Sequence, residues 1–143
     1  MYLVKRVNLK NRRNMEEIFY TRDNYCISID NDIVTVGLTS FILNEMDIIN
    51  FIELPTIGGI CSKTEIIGQI NYNGGENFNI CSVFSGKIVD ANDSLIDNYE
   101  QLFSNDMENS WLYRIYLSSK PELDDELMSE GEYEDYLEEV RRS

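Results

Sequence analysis

Short runs of alternating apolar and polar residues recur along this chain, and turn residues separate them. Alternation with a period of two predicts β-strands that are buried on one face. The strands predicted in this way cover residues 25–30, 33–37, 48–54, 66–72, 78–82, 87–90 and 111–116. Evenly spaced short strands joined by turns are typical of an antiparallel sandwich or barrel.

Short helices are predicted in the connections between strands. Thr39 or Ser40 is placed to cap one helix that continues to Met46. Asp97 or Asn98 is placed to cap a second one. Side chains of these types accept hydrogen bonds from the free N–H groups of a first helical turn.

A longer helix is predicted at the C-terminus. Ser119 followed by Pro121 is a helix-start signal, and residues 129–132 have the spacing of a capping box. Helical spacing of apolar residues then predicts one buried stripe, made of Tyr133, Tyr136, Leu137 and Val140.

The stretch at residues 71–78, Asn-Tyr-Asn-Gly-Gly-Glu-Asn-Phe, predicts a hairpin tip between two strands. Asn73-Gly74 favours a type I′ turn, because that turn needs positive φ at both central residues. The turn residues Asn73, Gly74 and Gly75 carry no nucleophile and no amine.

Charge and composition exclude several classes of function. The formal charge of −14 is unsuited to nucleic acid and favours partners with basic docking faces. No apolar run reaches the roughly 18 residues of a membrane span, so we expect a soluble protein that does not bind membranes. The chain has no histidine, which removes Ser-His and Cys-His catalysis and most zinc sites. We therefore predict no metal site and no catalytic residue.

The cysteines indicate an intracellular, reducing compartment. Cys26, Cys61 and Cys81 are odd in number and far from CxxC spacing, so we expect buried structural thiols. The first fifteen residues contain five bases and no acid. We interpret residues 1–15 as a basic N-terminal arm and residues 16–143 as one domain. The location is predicted to be cytoplasmic, or a mitochondrial-type organelle if the arm is a targeting remnant.

A series of short motifs, in constant order from about Phe19 to Val140, resembles the glycine cleavage system H protein family. No single motif is specific, and the resemblance depends on their collinearity over some 120 residues. The motifs are Val36-Gly-Leu-Thr39, Ile52-Glu-Leu-Pro55, Ile57-Gly58, Lys63-Thr-Glu65, Gly68-Gln-Ile70, Ser85-Gly-Lys-Ile-Val89, Asn92, Leu95, Asp97-Asn98, Trp111-Leu112, Pro121-Glu-Leu123, Leu127, Tyr133 and Tyr136-Leu137.

This resemblance implies a mainly β fold, the lipoyl/biotinyl-type barrel-sandwich hybrid, with short connecting helices and a C-terminal helix. Family members are carriers and not enzymes. Their lipoyl group is attached to a lysine at a hairpin tip. It exchanges an aminomethyl group with glycine decarboxylase and an aminomethyltransferase, and a dihydrolipoyl dehydrogenase reoxidises it. A lipoate-attaching enzyme loads the lysine.

The predicted tip departs from the family pattern. Counted forward from Gly68, the lipoyl lysine is replaced by Gly74, and counted back from Gly86 it is replaced by Gly75. The family's glutamate three places earlier matches Asn71. We therefore expect no lipoyl cofactor.

Other lysines are weak substitutes for the missing attachment site. Lys63, Lys87 and Lys120 are interpreted as solvated surface residues. The predicted function is a non-lipoylated, non-catalytic interaction or regulatory module of glycine cleavage or lipoate metabolism. The alternative is a working carrier whose attachment site has moved, with Cys81 as the residue to examine, although we expect that thiol to face the core.

Overall fold

The computed structural model describes residues 18–118 and 127–142. This part of the chain forms nine strands: β1 Ile18–Tyr20, β2 Tyr25–Asp30, β3 Ile33–Leu38, β4 Ile49–Glu53, β5 Ile60–Cys61, β6 Ile66–Tyr72, β7 Glu76–Cys81, β8 Gly86–Ala91 and β9 Tyr113–Leu117. The helices are α1 Ser40–Leu43, α2 Ser94–Asp97, a 3₁₀ helix Tyr99–Phe103, α3 Met107–Ser110 and α4 Glu130–Arg142. The predicted mainly β architecture with a C-terminal helix is confirmed.

The strands form two antiparallel sheets that share one core. The larger sheet has the order β1-β2-β3-β9-β8-β5, and the smaller has the order β4-β6-β7. Alternation along each strand directs one side inward, as in the row Ile52, Ile70 and Phe78 across the smaller sheet. The core cluster draws buried residues from both sheets, including Val34, Ile115, Ile70 and Ile80.

Two tyrosine hydroxyls join the sheets at the end of β7. Tyr25 of β2 accepts a hydrogen bond from the backbone N–H of Cys81 at 2.8 Å. Tyr113 of β9 accepts from Val83 N at 3.0 Å and donates to the carbonyl of Cys81 at 3.1 Å. These hydroxyls satisfy backbone groups that leave the strand ladder at a partly buried position, so the tyrosines stabilise the seam between the sheets.

β6 departs from strict alternation at one end. Alternation would place Ile66 on one face with Gly68 and Ile70, yet Ile66 is exposed, because the register with β7 shifts between Ile66 and Gly68. A Cβ added at Gly68 would collide with the carbonyl of Glu53 on β4, so only glycine permits this close approach of the two strands.

The sequence pattern missed several short elements. β1, β5, α2 and α3 were not predicted, and α1 ends at Leu43 where the helix was expected to continue to Met46. The Trp111-Leu112 pair precedes β9 and does not belong to it. The helix-start signal at Ser119 and Pro121 lies outside the described residues.

The capping box at the start of α4 is confirmed. Glu132 N donates to Ser129 Oγ at 3.2 Å, and Ser129 N donates to the Glu132 carboxylate at 2.8 Å. Tyr133 and Leu137 are buried, but the predicted stripe is wrong at Val140, which is exposed. Among the residues that the structure describes, no helix is long and apolar enough to cross a membrane.

Candidate functional site

The β6–β7 hairpin ends in the turn that the sequence predicted. Asn73 has φ 49° and Gly74 has φ 80°, as a type I′ turn requires. Gly75 N closes the turn by donating to the carbonyl of Tyr72 at 3.1 Å. Asn71 lies on β6, two residues before Asn73, where it is half-buried and paired with Asn77 of β7.

The Asn73 side chain ties this tip to the connection between α1 and β4. Its Oδ1 accepts hydrogen bonds from the N–H groups of Asp47 and Ile48, both at 2.9 Å. Its Nδ2 donates to the carbonyl of Glu45 at 3.3 Å, and its backbone N–H donates to the carbonyl of Ile48 at 2.7 Å. One residue therefore supplies four of the contacts that hold the tip.

Gly74 adds a fifth contact, because its N–H donates to Asn50 Oδ1 at 2.8 Å. Three of these hydrogen bonds are accepted by side-chain oxygens, two by Asn73 Oδ1 and one by Asn50 Oδ1. The sequence pattern predicted the turn but not these three bonds. The tip is thus fixed by hydrogen bonds to residues 45–50.

The two glycines of the tip are equally open to solvent but differ in backbone conformation. A Cβ at either Gly74 or Gly75 would meet no atom within 4 Å. Gly74 has the left-handed φ that side chains disfavour, whereas Gly75 does not. A side chain at position 75 is therefore compatible with the observed backbone.

Neither lysine of the described residues lies at this tip. Lys63 is in the turn at residues 62–65, which precedes β6, whereas the tip follows β6. The seven residues of β6 place the two ends roughly 20 Å apart at about 3.3 Å per residue. Lys87 is exposed on β8 of the larger sheet, in register with Tyr116 of β9 and Ile60 of β5, whereas the tip belongs to the smaller sheet. Lys120 lies outside the described residues.

The three thiols are not arranged for nucleophilic chemistry. Burial raises the pKa of the Cys26 thiol from 9.0 to about 12, and Cys61 is buried against Ser82 Oγ at 3.1 Å. The expectation that Cys81 faces the core is wrong, since it lies half-exposed at the end of β7. Partial burial still raises its pKa, which lowers the fraction of reactive thiolate at neutral pH.

No metal-binding cluster accompanies the tip. Within residues 18–118 and 127–142, no group of three or more Cys, Asp or Glu side chains is placed to hold a metal ion. The candidate site is therefore a rigid, glycine-bearing hairpin tip on a small sheet, without a nucleophile or an amine.

Comparison with known proteins identifies the family. Residues 18–140 match the family model described as Glycine cleavage H-protein. The chain belongs to the glycine cleavage H-protein family. H proteins are lipoyl carriers and not catalysts in their own right, so the family confirms the prediction that this chain is not an enzyme.

Individual relatives agree with this assignment over most of their length. The glycine cleavage system H protein of Halothermothrix orenii is 32% identical over 125 residues, which are 87% of this chain and 96% of the relative. That of Dinoroseobacter shibae is 32% identical over 117 residues, 82% of this chain and 95% of the relative. The crystal structure of a glycine cleavage system H protein from Mycobacterium marinum has a TM-score of 0.75 at 23% identity. It covers 87% of this chain and 98% of its own, and it shows that the fold is shared.

The predicted H-protein resemblance and barrel-sandwich fold are thus confirmed. Asn71 lies on β6 beside the turn that contains Gly74 and Gly75. Their equivalence to the glutamate and lysine of lipoylated H proteins stays a prediction. Asn50 and the side-chain role of Asn73 were missed, because their partners are distant in sequence.

Proposed function

We propose that this chain is an H-protein-like module that carries no lipoyl group and acts through contacts with other proteins. The observation that supports this proposal is the chemistry of the tip. Lipoylation forms an amide with a lysine amine, and the turn residues Asn73, Gly74 and Gly75 have no side-chain amine.

The hydrogen bonds at the tip support the same proposal. Five bonds join Asn73 and Gly74 to residues 45–50. A tip that is fixed in this way presents a constant surface to a partner, at little cost in conformational entropy on binding. It is suited to recognition rather than to carrying a group between active sites.

The partners that we propose are proteins that act on lipoylated H proteins. They are the aminomethyltransferase, glycine decarboxylase, dihydrolipoyl dehydrogenase and the lipoate-attaching enzyme. The module regulates one of them by occupying the surface on which an H protein docks. A formal charge of −14 steers such encounters through long-range attraction to basic faces.

Intact-mass spectrometry of the chain purified from its native host tests the absence of the lipoyl group. The expected mass is that of the unmodified polypeptide. A lysine-bearing H protein, produced and purified in the same way, serves as the control for the supply of lipoate. A lipoyl-sized increment on this chain contradicts the proposal.

The competing function is a working carrier whose attachment site has moved, and the same measurement decides it. A lipoyl adduct that fragmentation places on Lys63, Lys87 or Lys120 establishes that function. The position of Lys63 at the far end of β6 speaks against it, because a carrier group there starts from the wrong end of the hairpin.

A docking role also predicts association with a lipoate-metabolising or glycine-cleaving enzyme. Because the attraction comes largely from surface charge, the affinity is expected to fall steeply between low salt and about 0.15 M salt. Sedimentation or biolayer interferometry against each of the four enzymes measures it. Absence of binding to all four contradicts the proposed partners and leaves the mass measurement unaffected.

A further inference from the structure

An open groove of about 490 Å³ lies on the side of the larger sheet that bears α1 and α3. Its floor is formed by β1, β2 and β3, with Ile18, Cys26 and Leu38. One wall is α1, and the other is the segment that joins the 3₁₀ helix to α3. Ser40 Oγ donates to Asn105 Oδ1 at 3.3 Å across the two walls, which holds their separation.

Apolar side chains provide about half of the surface of this groove, and polar side chains such as Thr39 and Asn44 provide the rest. Leu43 lines it from α1, and Met107 lines it from α3. Phe103 also lines the groove and remains 37% exposed, although it is large and aromatic. Pockets of about 300–1,000 Å³ that are lined in this way bury ligands or the side chains of a partner.

The rim of the groove bears one acid, Asp106, and none of the lining residues is basic. Asp106 lines it directly, and its carboxylate is oriented by the N–H of Glu108 at 3.0 Å. Tyr20 lines the opposite side of the groove and stacks on Tyr133 of α4, with ring centroids 4.9 Å apart.

We propose that this groove is a docking site for a basic amphipathic segment of a partner protein. The apolar side chains of that segment enter the groove beside Phe103 and Met107. Its Lys or Arg side chains face Asp106, and the net negative charge of the chain attracts them. Helix-in-groove recognition uses the same combination of spaced apolar anchors and complementary charge.

Charge complementarity selects this occupant over a second copy of the chain. Two copies would each bring a formal charge of −14 and an Asp106 to the contact, and repulsion between like charges disfavours that pairing. The proposal goes beyond the function of the hairpin tip. It holds whether or not the tip carries a lipoyl group, because none of the groove residues belongs to the hairpin.

Fluorescence anisotropy with a defined probe tests the proposal on the full chain. The probe is a short fluorescein-labelled peptide of leucine and lysine, with the leucines at helical spacing. A second peptide has serine in place of each leucine and retains the charge. We expect saturable binding of the leucine peptide and much weaker binding of the serine peptide.

Two groove variants and two matched controls locate the binding. Phe103→Ala removes an aromatic wall and is expected to weaken binding at least about fivefold. Asp106→Asn retains an N-cap side chain for α3 and is expected to weaken binding about threefold and to reduce its salt dependence. The controls Ile96→Ala and Asp97→Asn change an exposed apolar residue and an exposed acid that do not line the groove. They are expected to leave the affinity unchanged within about twofold.

Three results would overturn the proposal. One is an equal loss of affinity in groove and control variants, which indicates diffuse attraction to an acidic surface. Another is equal binding of the two peptides. The third is binding that appears only after five basic residues are changed to glutamine, namely Lys5, Arg6, Lys10, Arg12 and Arg13. That result would indicate that basic residues of the chain itself occupy the groove. Thermal unfolding of each variant confirms that it is folded, and the exposed Asp106→Asn keeps the test valid if Phe103→Ala does not fold.

Discussion

A lysine introduced at Gly75 is expected to turn this chain into a substrate for lipoate attachment. The structure favours position 75 because a Cβ there meets nothing within 4 Å and the backbone φ is not left-handed. Gly74 is also open but has φ 80°, which makes Gly74→Lys the matched comparison. The two variants add the same side chain to adjacent residues of the same tip.

The expected cost of each variant follows from its backbone conformation. At Gly75 the loss of glycine reduces the entropy of the unfolded chain, which is worth about 0.4–1 kcal/mol in favour of folding. At Gly74 the left-handed conformation costs a lysine about 1–2 kcal/mol. For a chain of 143 residues this lowers Tm by about 3–7 °C. Gly75→Lys is therefore expected to be as stable as the parent chain or slightly more so.

The assay combines thermal unfolding with lipoylation in vitro. Each protein is incubated with a lipoate ligase, lipoate and ATP, and the products are read by intact-mass spectrometry. The parent chain is expected to remain unmodified, while Gly75→Lys gains one lipoyl group. Peptide mapping places the adduct at residue 75.

Two outcomes would refute the reasoning. A parent chain that takes up lipoate under these conditions shows that another amine serves as the site. A folded Gly75→Lys that takes up none shows that the missing amine is not the determinant that separates this tip from a carrier. In the second case the double variant Asn71→Glu with Gly74→Lys tests the other register, in which the family's glutamate is also restored.

Three further predictions concern the tip, the seam between the sheets and the half-buried thiol of Cys26. Asn73→Gly keeps the positive φ but loses three side-chain hydrogen bonds. The free energy of unfolding, measured by urea titration, is therefore expected to fall by about 1–2 kcal/mol. The surface control Asn77→Ala is expected to change it by less than about 0.5 kcal/mol. Tyr113→Phe leaves two partly buried backbone groups unpaired and costs about 2 kcal/mol, with the exposed Tyr116→Phe near zero. Burial raises the pKa of Cys26 from 9.0 to about 12, so the fold favours the protonated thiol, and stability declines as pH rises from 9 towards 12. Cys26→Ala should lower the slope of that decline by up to about 1.4 kcal/mol per pH unit; equal slopes would contradict the burial of the thiol.

The strands were predictable because their signal is local. Alternation fixes the inward face of a strand within a few residues, and Asn73-Gly74 specifies a turn by its own backbone preference. The capping box at Ser129 is likewise a contact between residues three apart. The collinear motifs then added the family, which no single strand could indicate.

The features that were missed depend on contacts that are distant in sequence. Asn73 bonds to residues that lie 25 to 28 positions earlier, and no local pattern of a turn reports such partners. The exposure of Ile66 follows from a register shift at the end of the β6–β7 pair, whereas Cys81 faces outward because it alternates with the buried Ile80 and Ser82. A shift of one residue reverses the side that a strand presents, so a strictly alternating reading was wrong at that end.

The connection from α1 to β4 links the two surfaces on which the proposals rest. Leu43 and Asn44 line the groove, and the following residues from Glu45 to Asn50 form hydrogen bonds with the tip. The two surfaces nevertheless use different chemistry. The tip proposal depends on a missing amine, whereas the groove proposal depends on an apolar wall with an acidic rim. Because Gly75→Lys restores the amine without touching the groove, and Asp106→Asn alters the rim without touching the tip, each proposal can fail while the other stands.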